Sequence, residues 1–239
     1  MPDCARCSLF QLESENEGCL HLNRPGGLEL TNTALVSCKL PASASVLDAA
    51  CGAGATLQSL RDQGYGAIGI DLSMEMLRKC ALLTTMQAHC NQVPLPALSQ
   101  DAVLMECALS LSNEMVSALT EFNRLLRPGG WLVVTDIYIR ELHDPQAMDC
   151  LTGSSCLSGA KTEVEIRSNI EGAGFSIRNW QDQTLVFKQW LARMVFKLGS
   201  LDAFYRQLSA CETGSQALAN TLGNKIKLGY YWLSAQKTG

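Results

Sequence analysis

The 239 residues contain no stretch long and apolar enough to span a bilayer, and no charged-then-apolar leader stands at Met1. Excess positive charge is missing too. Nineteen Lys and Arg against 23 Asp and Glu leave a net charge of −4, which removes the global electrostatic case for nucleic acid. Histidine is scarce: His21, His89 and His143 are the only three, and they show no metal-ligand spacing. Cys4-x-x-Cys7 has no second pair to close a zinc site, so no metal centre is expected. Internal repeats and low-complexity segments are absent.

What is present is the composition of a chain with a sizeable core, 47% hydrophobic and 18% charged. Eleven cysteines are scattered through strand-like and helix-like segments. That pattern fits reduced thiols in a cytoplasmic protein better than a disulfide framework. One domain over 1–239 is expected, with a leader or lid segment at 1–40 and a helical insertion at 181–227. From Leu185 onward seven Lys or Arg face two Asp or Glu, an excess that reads as a solvated helix face or as a surface for an acidic partner.

Periodicity supplies the architecture. "LELTNTALVSCKL" predicts a helix with Thr31 or Asn32 as its N-cap, after a loop at "NRPGG". "SVLDAA", "GAIGIDL", "DAVLMECAL" and "WLVVTDIYI" read as strands. They alternate with the helices "TLQSLRDQGY", "SMEMLRKCALL" (N-cap Ser73) and "NEMVSALTEFNRLLRPGG", the last stopped by Pro128 and Gly129. This alternation predicts a doubly wound α/β sheet, mostly parallel. Further on, "TEVEIRSNIEGAGF" predicts a helix, "FSIRNWQD" a strand and "IKLGYYWLSAQK" a closing strand. Between them Phe187, Trp190, Leu191, Met194, Leu198, Leu201, Phe204, Tyr205 and Leu208 recur at helical spacing, as a core-facing stripe.

The first strand runs straight into Cys51-Gly52-Ala53-Gly54 and a helix start. Such a turn frees backbone N–H groups and lets a ligand approach the main chain. Leu57 stands where a dinucleotide fingerprint needs its third glycine, which argues against a nicotinamide enzyme. Asp71, at the end of the second strand, is placed to accept bonds from two ribose hydroxyls, or else to cap the helix that follows.

In order along the chain, V-L-D-A-A-C-G-A-G, G-I-D-L-S, V-P-L-P…D-A-V-L and L-L-R-P-G-G resemble a class I S-adenosylmethionine-dependent methyltransferase of the small-molecule "type 11" subgroup. The similarity covers roughly Ala34 to Ile139, with finishing strands near Phe175 and Tyr230. It implies a Rossmann-like seven-stranded sheet with the last strand antiparallel and helices on both faces. By the same resemblance the turn from Asp48 through Ala50, Cys51 and Gly52 to Gly54 holds the methionine part of S-adenosylmethionine. Asp71 then takes the ribose, Leu72 lies against the adenine, and Glu106 lines the cofactor cleft. His89 stands where the family has an Asp for the adenine amino group, so only the backbone contact at Cys90 carries over. Ala50 stands where the family commonly has Gly. "RPGGLELT" resembles a segment that folds over the cofactor, which makes Asn23 to Gly27 part of a lid or else an ordinary surface turn.

Methyl transfer asks the protein mainly to align donor and acceptor and to exclude water. Catalytic candidates are therefore the polar groups at strand ends: Glu106, Cys107 and Ser110, then Asp136, Tyr138 and Arg140. Glu106 or Asp136 is expected to act as a base or to steer a cationic acceptor, unless it caps a helix or pairs with an arginine. Thiols at Cys107, Cys150, Cys156 and the Cys4/Cys7 pair invite a metalloid acceptor, as in arsenite methyltransferases, against the plainer reading of small core residues. The expected acceptor is a small molecule. DNA is not expected, because the Asn/Asp-Pro-Pro-aromatic motif of amino-methylating DNA enzymes is missing. The alternative is a non-catalytic cofactor-binding or regulatory module with a degenerate pocket. The oligomeric state is left open.

Overall fold

The computed structural model describes residues 24–80, 83–112, 114–144, 157, 159–201, 203–204 and 225–239. One seven-stranded sheet runs in the order β3-β2-β1-β4-β5-β7-β6. Its strands are β1 (Ser45–Ala49), β2 (Gly66–Asp71), β3 (Thr85–Gln87), β4 (Gln100–Glu106), β5 (Leu126–Leu142), β6 (Phe175–Asp182) and β7 (Ile226–Lys237). β3, β2, β1, β4 and β5 pair in parallel, whereas β7 lies antiparallel between β5 and β6. The predicted class and the antiparallel last strand are both observed. Chain order reverses between β1 and β4, so a crevice is expected beyond their carboxyl ends.

Helices cover both faces, which is why the central strands are apolar on both sides. Val46, Leu47 and Ala49 of β1 are all buried, as are Ala102 to Met105 of β4. On one face α1 (Gly27–Cys38), α2 (Ala55–Asp62) and α6 (Thr184–Leu198) pack through Leu30, Ala34, Leu57, Leu60 and Met194. On the other, α4 (Met115–Leu125) and α5 (Glu163–Gly172) contribute Leu119, Phe122, Ile166 and Ile170. A short helix, α3 (Met74–Arg78), starts at Ser73, whose hydroxyl accepts the Met76 N–H at 3.3 Å, as predicted. α5 opens on a capping box between Thr162 and Glu165.

Four local expectations are corrected. α1 begins at Gly27, not after Thr31 or Asn32: Gly26 takes the left-handed N-cap position at φ 77° with no side-chain cap, and Thr31 is buried inside the helix. β3 was not expected, because three residues are too few to show a period. α4 stops at Leu125, and the Arg127-Pro128-Gly129-Gly130 stretch belongs to β5, where it makes the register shift between the pairs Gln100–Leu126 and Ala102–Trp131. Leu201, assigned to the core stripe, is 44% exposed. Of the expected leader, 1–23 lies outside the described residues, and so does 205–224 of the expected insertion.

Candidate active site

The turn after β1 is fixed from two sides. Cys51 donates its N–H to the Ile70 carbonyl at 2.9 Å, and Gly52 donates to Asp71 Oδ2 at 2.9 Å. Asp71 Oδ1 also accepts from the Ser73 N–H at 2.8 Å, so this half-buried carboxylate joins the turn to the end of β2. Each of its oxygens keeps a further lone pair. The two glycines serve different ends. A Cβ on Gly52 would meet nothing within 4 Å, so the turn faces open space there. A Cβ on Gly54 would meet Leu83 Cδ1 at 2.7 Å and Cys80 Sγ at 2.8 Å, with φ at 84°. Gly54→Ala should therefore lose about 1–3 kcal/mol, the scale of a strained left-handed non-glycine residue, as read by urea unfolding. A loss below a few tenths would mean that the helix start relaxes. Ala50 holds φ at 64°, which explains why a glycine suits that position better.

Leu72 is 38% exposed beside the turn. The Ala88 N–H bonds to the Asp71 carbonyl at 3.2 Å, which sets the 88–90 segment against the end of β2. His89 is exposed there and accepts the Asn91 N–H on Nδ1 at 3.3 Å; Cys90 is half-buried. The residues expected around the cofactor thus converge on the carboxyl ends of β1, β2 and β3.

Behind the turn lies a buried polar cluster. Glu106, at the end of β4, receives Thr31 Oγ1 at 2.7 Å, Thr56 Oγ1 at 2.7 Å and an ion pair from Arg24 Nη2 at 2.9 Å. Arg24 also donates to both threonine hydroxyls. Two atoms of this cluster, Arg24 Nη1 and Asp48 Oδ2, are buried without a hydrogen-bond partner. Burial, reinforced by Glu106 and opposed by Arg24, pushes the Asp48 carboxyl up to about 8. A buried donor and a buried acceptor left open cost free energy that a ligand can return. One would donate to a carboxylate and the other accept from an ammonium, the two ends of an α-amino acid. The cluster therefore fits the methionine part of S-adenosylmethionine, beside a turn open at Gly52.

The acceptor-side candidates sit one strand further along. Asp136 is 1% exposed; its carboxylate accepts the Ser110 N–H at 2.8 Å, Ser110 Oγ at 2.7 Å and the Ile137 N–H at 2.8 Å. Burial pushes it up to about 6 against those bonds. Cys107, at φ 52°, lies 2.9 Å from the Tyr230 hydroxyl, and burial raises its thiol. Tyr138 donates to Asp182 at 2.6 Å, and Arg140 approaches the same carboxylate at 3.7 Å. Glu106 and Asp136 are thus both held by protein groups.

Arg24, Thr31 and Thr56 escaped the sequence reading. The signals were "RPGG", read as a loop and as part of a segment that resembles a cofactor lid, and Thr31, read as a cap. Cys4, Cys7, Cys150 and Cys156 lie outside the described residues; among the described ones, no three His, Cys, Asp or Glu side chains gather as a metal site.

Residues 47–134 match the family described as methyltransferase domain. The chain is 32% identical over 123 residues to a malonyl-[acyl-carrier protein] O-methyltransferase of Enterobacter lignolyticus, covering 49% of each protein. It is 29% identical over 173 residues to a demethylmenaquinone methyltransferase of Renibacterium salmoninarum, covering 69% of each. The chain spans about half the length of the first curated relatives it matches. Among solved structures, phosphoethanolamine N-methyltransferase 2 of Haemonchus contortus, in complex with S-adenosyl-L-methionine, shares the fold with a TM-score of 0.73. That superposition has 17% identity and covers 92% of this chain and 55% of that one. Strand order, glycine turn and sequence match agree on a methyltransferase domain at residues 47–134, in a sheet of the class I S-adenosylmethionine-dependent type.

Proposed function

We propose that the protein binds S-adenosylmethionine at the Gly52 turn and transfers its methyl group to a small-molecule acceptor. The observation that carries this reading is the pair of unpartnered buried atoms, Asp48 Oδ2 and Arg24 Nη1, beside a turn that is open at Gly52. S-adenosylmethionine supplies a methyl carbon already activated on a sulfonium sulfur. Asp48 would accept from the α-ammonium and Arg24 would donate to the carboxylate. Glu106 keeps Arg24 charged and in place. Asp71 would turn its remaining lone pairs to the ribose hydroxyls, with Leu72 on the adenine and the Cys90 N–H at a ring nitrogen. His89 is exposed and would leave the adenine amino group to solvent.

Because Glu106 and Asp136 are both engaged, the protein acts on the acceptor by positioning and by excluding water. An acceptor that is already a nucleophile suits that arrangement. The malonyl-carrier and demethylmenaquinone relatives supply two acceptor types to try first. Free thiols at Cys38, Cys51, Cys80 and Cys107 support a cytoplasmic setting. The same engagement of both carboxylates also favours a second reading, a cofactor-binding module without turnover.

Calorimetric titration with S-adenosylhomocysteine tests the first step. The intact protein should bind, Asp71→Ala should weaken binding about tenfold or more through lost charge-assisted bonds, and Gly52→Val should abolish it. A branched side chain at φ 54° both strains the turn and fills the open space. Normal binding by Gly52→Val would falsify the cofactor assignment. Binding without turnover on either acceptor type would favour the module.

A further inference from the structure

α6 carries a second apolar stripe on the side away from the core. Its inward side packs through Phe187, Trp190, Leu191 and the buried Met194. Its outward side exposes Phe196 by 90% and Leu185 by 70%, larger fractions than any core-forming role allows. At 3.6 residues per turn, Leu185, Ala192 and Phe196 fall within about 40° of one another, with Gln189 beside them. Lys188 lies about 60° to one side of Leu185 and Arg193 about 80° to the other. Both cations are exposed, and Thr184–Leu198 contains no Asp or Glu. Asp182, just before the helix, is held by Tyr138, the Thr184 N–H and Arg140.

We propose that this face of α6 docks the protein on an anionic lipid surface, with Leu185 and Phe196 entering the interface and the flanking cations meeting phosphate headgroups. An apolar centre with Lys and Arg on both flanks is the arrangement of helices that lie in a membrane interface. A rigid protein partner suits the face less well. Its two large apolar groups stand about 16 Å apart along a convex helix, with only Ala192 and Gln189 between them. That is too little contiguous apolar area for the buried centre of a protein interface, whereas headgroups and acyl chains close around isolated projections. α6 packs with α1 and α2 on one face of the sheet, so docking through its outward side sets that face toward the lipid. The docking does not depend on the methyl-transfer reading.

Flotation of the full chain with phosphatidylcholine vesicles, with and without phosphatidylglycerol, tests this. Binding should require phosphatidylglycerol and fall as salt rises. Lys188→Ala with Arg193→Ala should weaken it roughly fivefold per cation removed, and Phe196→Ser roughly tenfold or more. Each variant should bind S-adenosylhomocysteine as the parent does, which separates lost docking from a lost fold or a failed cofactor site. Absence of binding to anionic vesicles, or binding that none of the substitutions weakens, overturns the proposal. So does a solution dimer that Phe196→Ser dissolves, or capture of a purified acidic acyl carrier protein in place of vesicles, because either assigns the face to a protein.

Discussion

Arg24→Met should lower the unfolding free energy by about 3–5 kcal/mol, the cost of leaving a buried carboxylate without its cation. Glu106 is as deeply placed as Arg24, with side-chain exposures of 6% and 5%, so solvent screening reduces the figure little. The two threonine hydroxyls would remain on Glu106, but neither carries charge. The double substitution Arg24→Met with Glu106→Gln should recover more than half of the loss, because an amide still offers Thr31 and Thr56 an oxygen and no longer needs a counter-charge. Urea unfolding of the parent, both single variants and the double variant gives the coupling directly. An Arg24→Met loss under about 1 kcal/mol would mean that water reaches the pair and that it behaves like a surface salt bridge. The double variant has a second use: it should be folded yet bind S-adenosylhomocysteine poorly, since the carboxylate partner at Nη1 has gone.

That cluster also marks where sequence reading stops. The glycine turn and the strand–helix alternation were legible because each rests on a local rule, a period or a positive φ, whereas Asp48 was singled out by the ordered motifs as a resemblance. Glu106 was legible as a strand-end residue in the cleft, but its partners were not. Arg24 reaches it from a segment whose only local signals were Pro25 and Gly26, and those spoke of a turn. Thr31 looked like a cap because threonine before an apolar run commonly is one. Here the helix had already begun on a glycine, and the hydroxyl was free to reach Glu106. β5 illustrates the same limit. α4 ended at Leu125, before Pro128 and Gly129 could stop it, and β5 runs across them, because Leu126 had Gln100 to pair with. On α6 the inward stripe was read from spacing, while Leu185 and Phe196 went unremarked. Helical period identifies which residues share a face and leaves open how many faces have a partner.

Asp48→Asn should move stability and binding in opposite directions. In the parent the carboxyl is held near 8 by burial against an ordinary value of 3.8. A raised carboxyl in the folded state means that the native protein holds its proton more tightly than the unfolded chain does. Stability from this group is therefore complete below about pH 4 and is lost as pH rises toward 8, where the unfolded chain ionises freely and the folded one does not. Asparagine carries no such titration, so its advantage in Tm over the parent should grow across that window and level off above it. Binding should change the other way. The parent meets an α-ammonium with a carboxylate that ionises on contact, a charge-assisted bond; the amide offers a neutral one. S-adenosylhomocysteine should bind the variant roughly ten- to a hundredfold more weakly. Contact with the ammonium also pulls the Asp48 pKa down, so the parent should release close to one proton on binding below about pH 8, and its affinity should rise with pH up to that point. Calorimetry in buffers of different ionisation enthalpy reads that proton. The variant should release none from this site. A parent that releases no proton, or a variant whose proton release matches it, would place the ammonium away from Asp48 and leave the carboxyl as a buried acid with no part in binding.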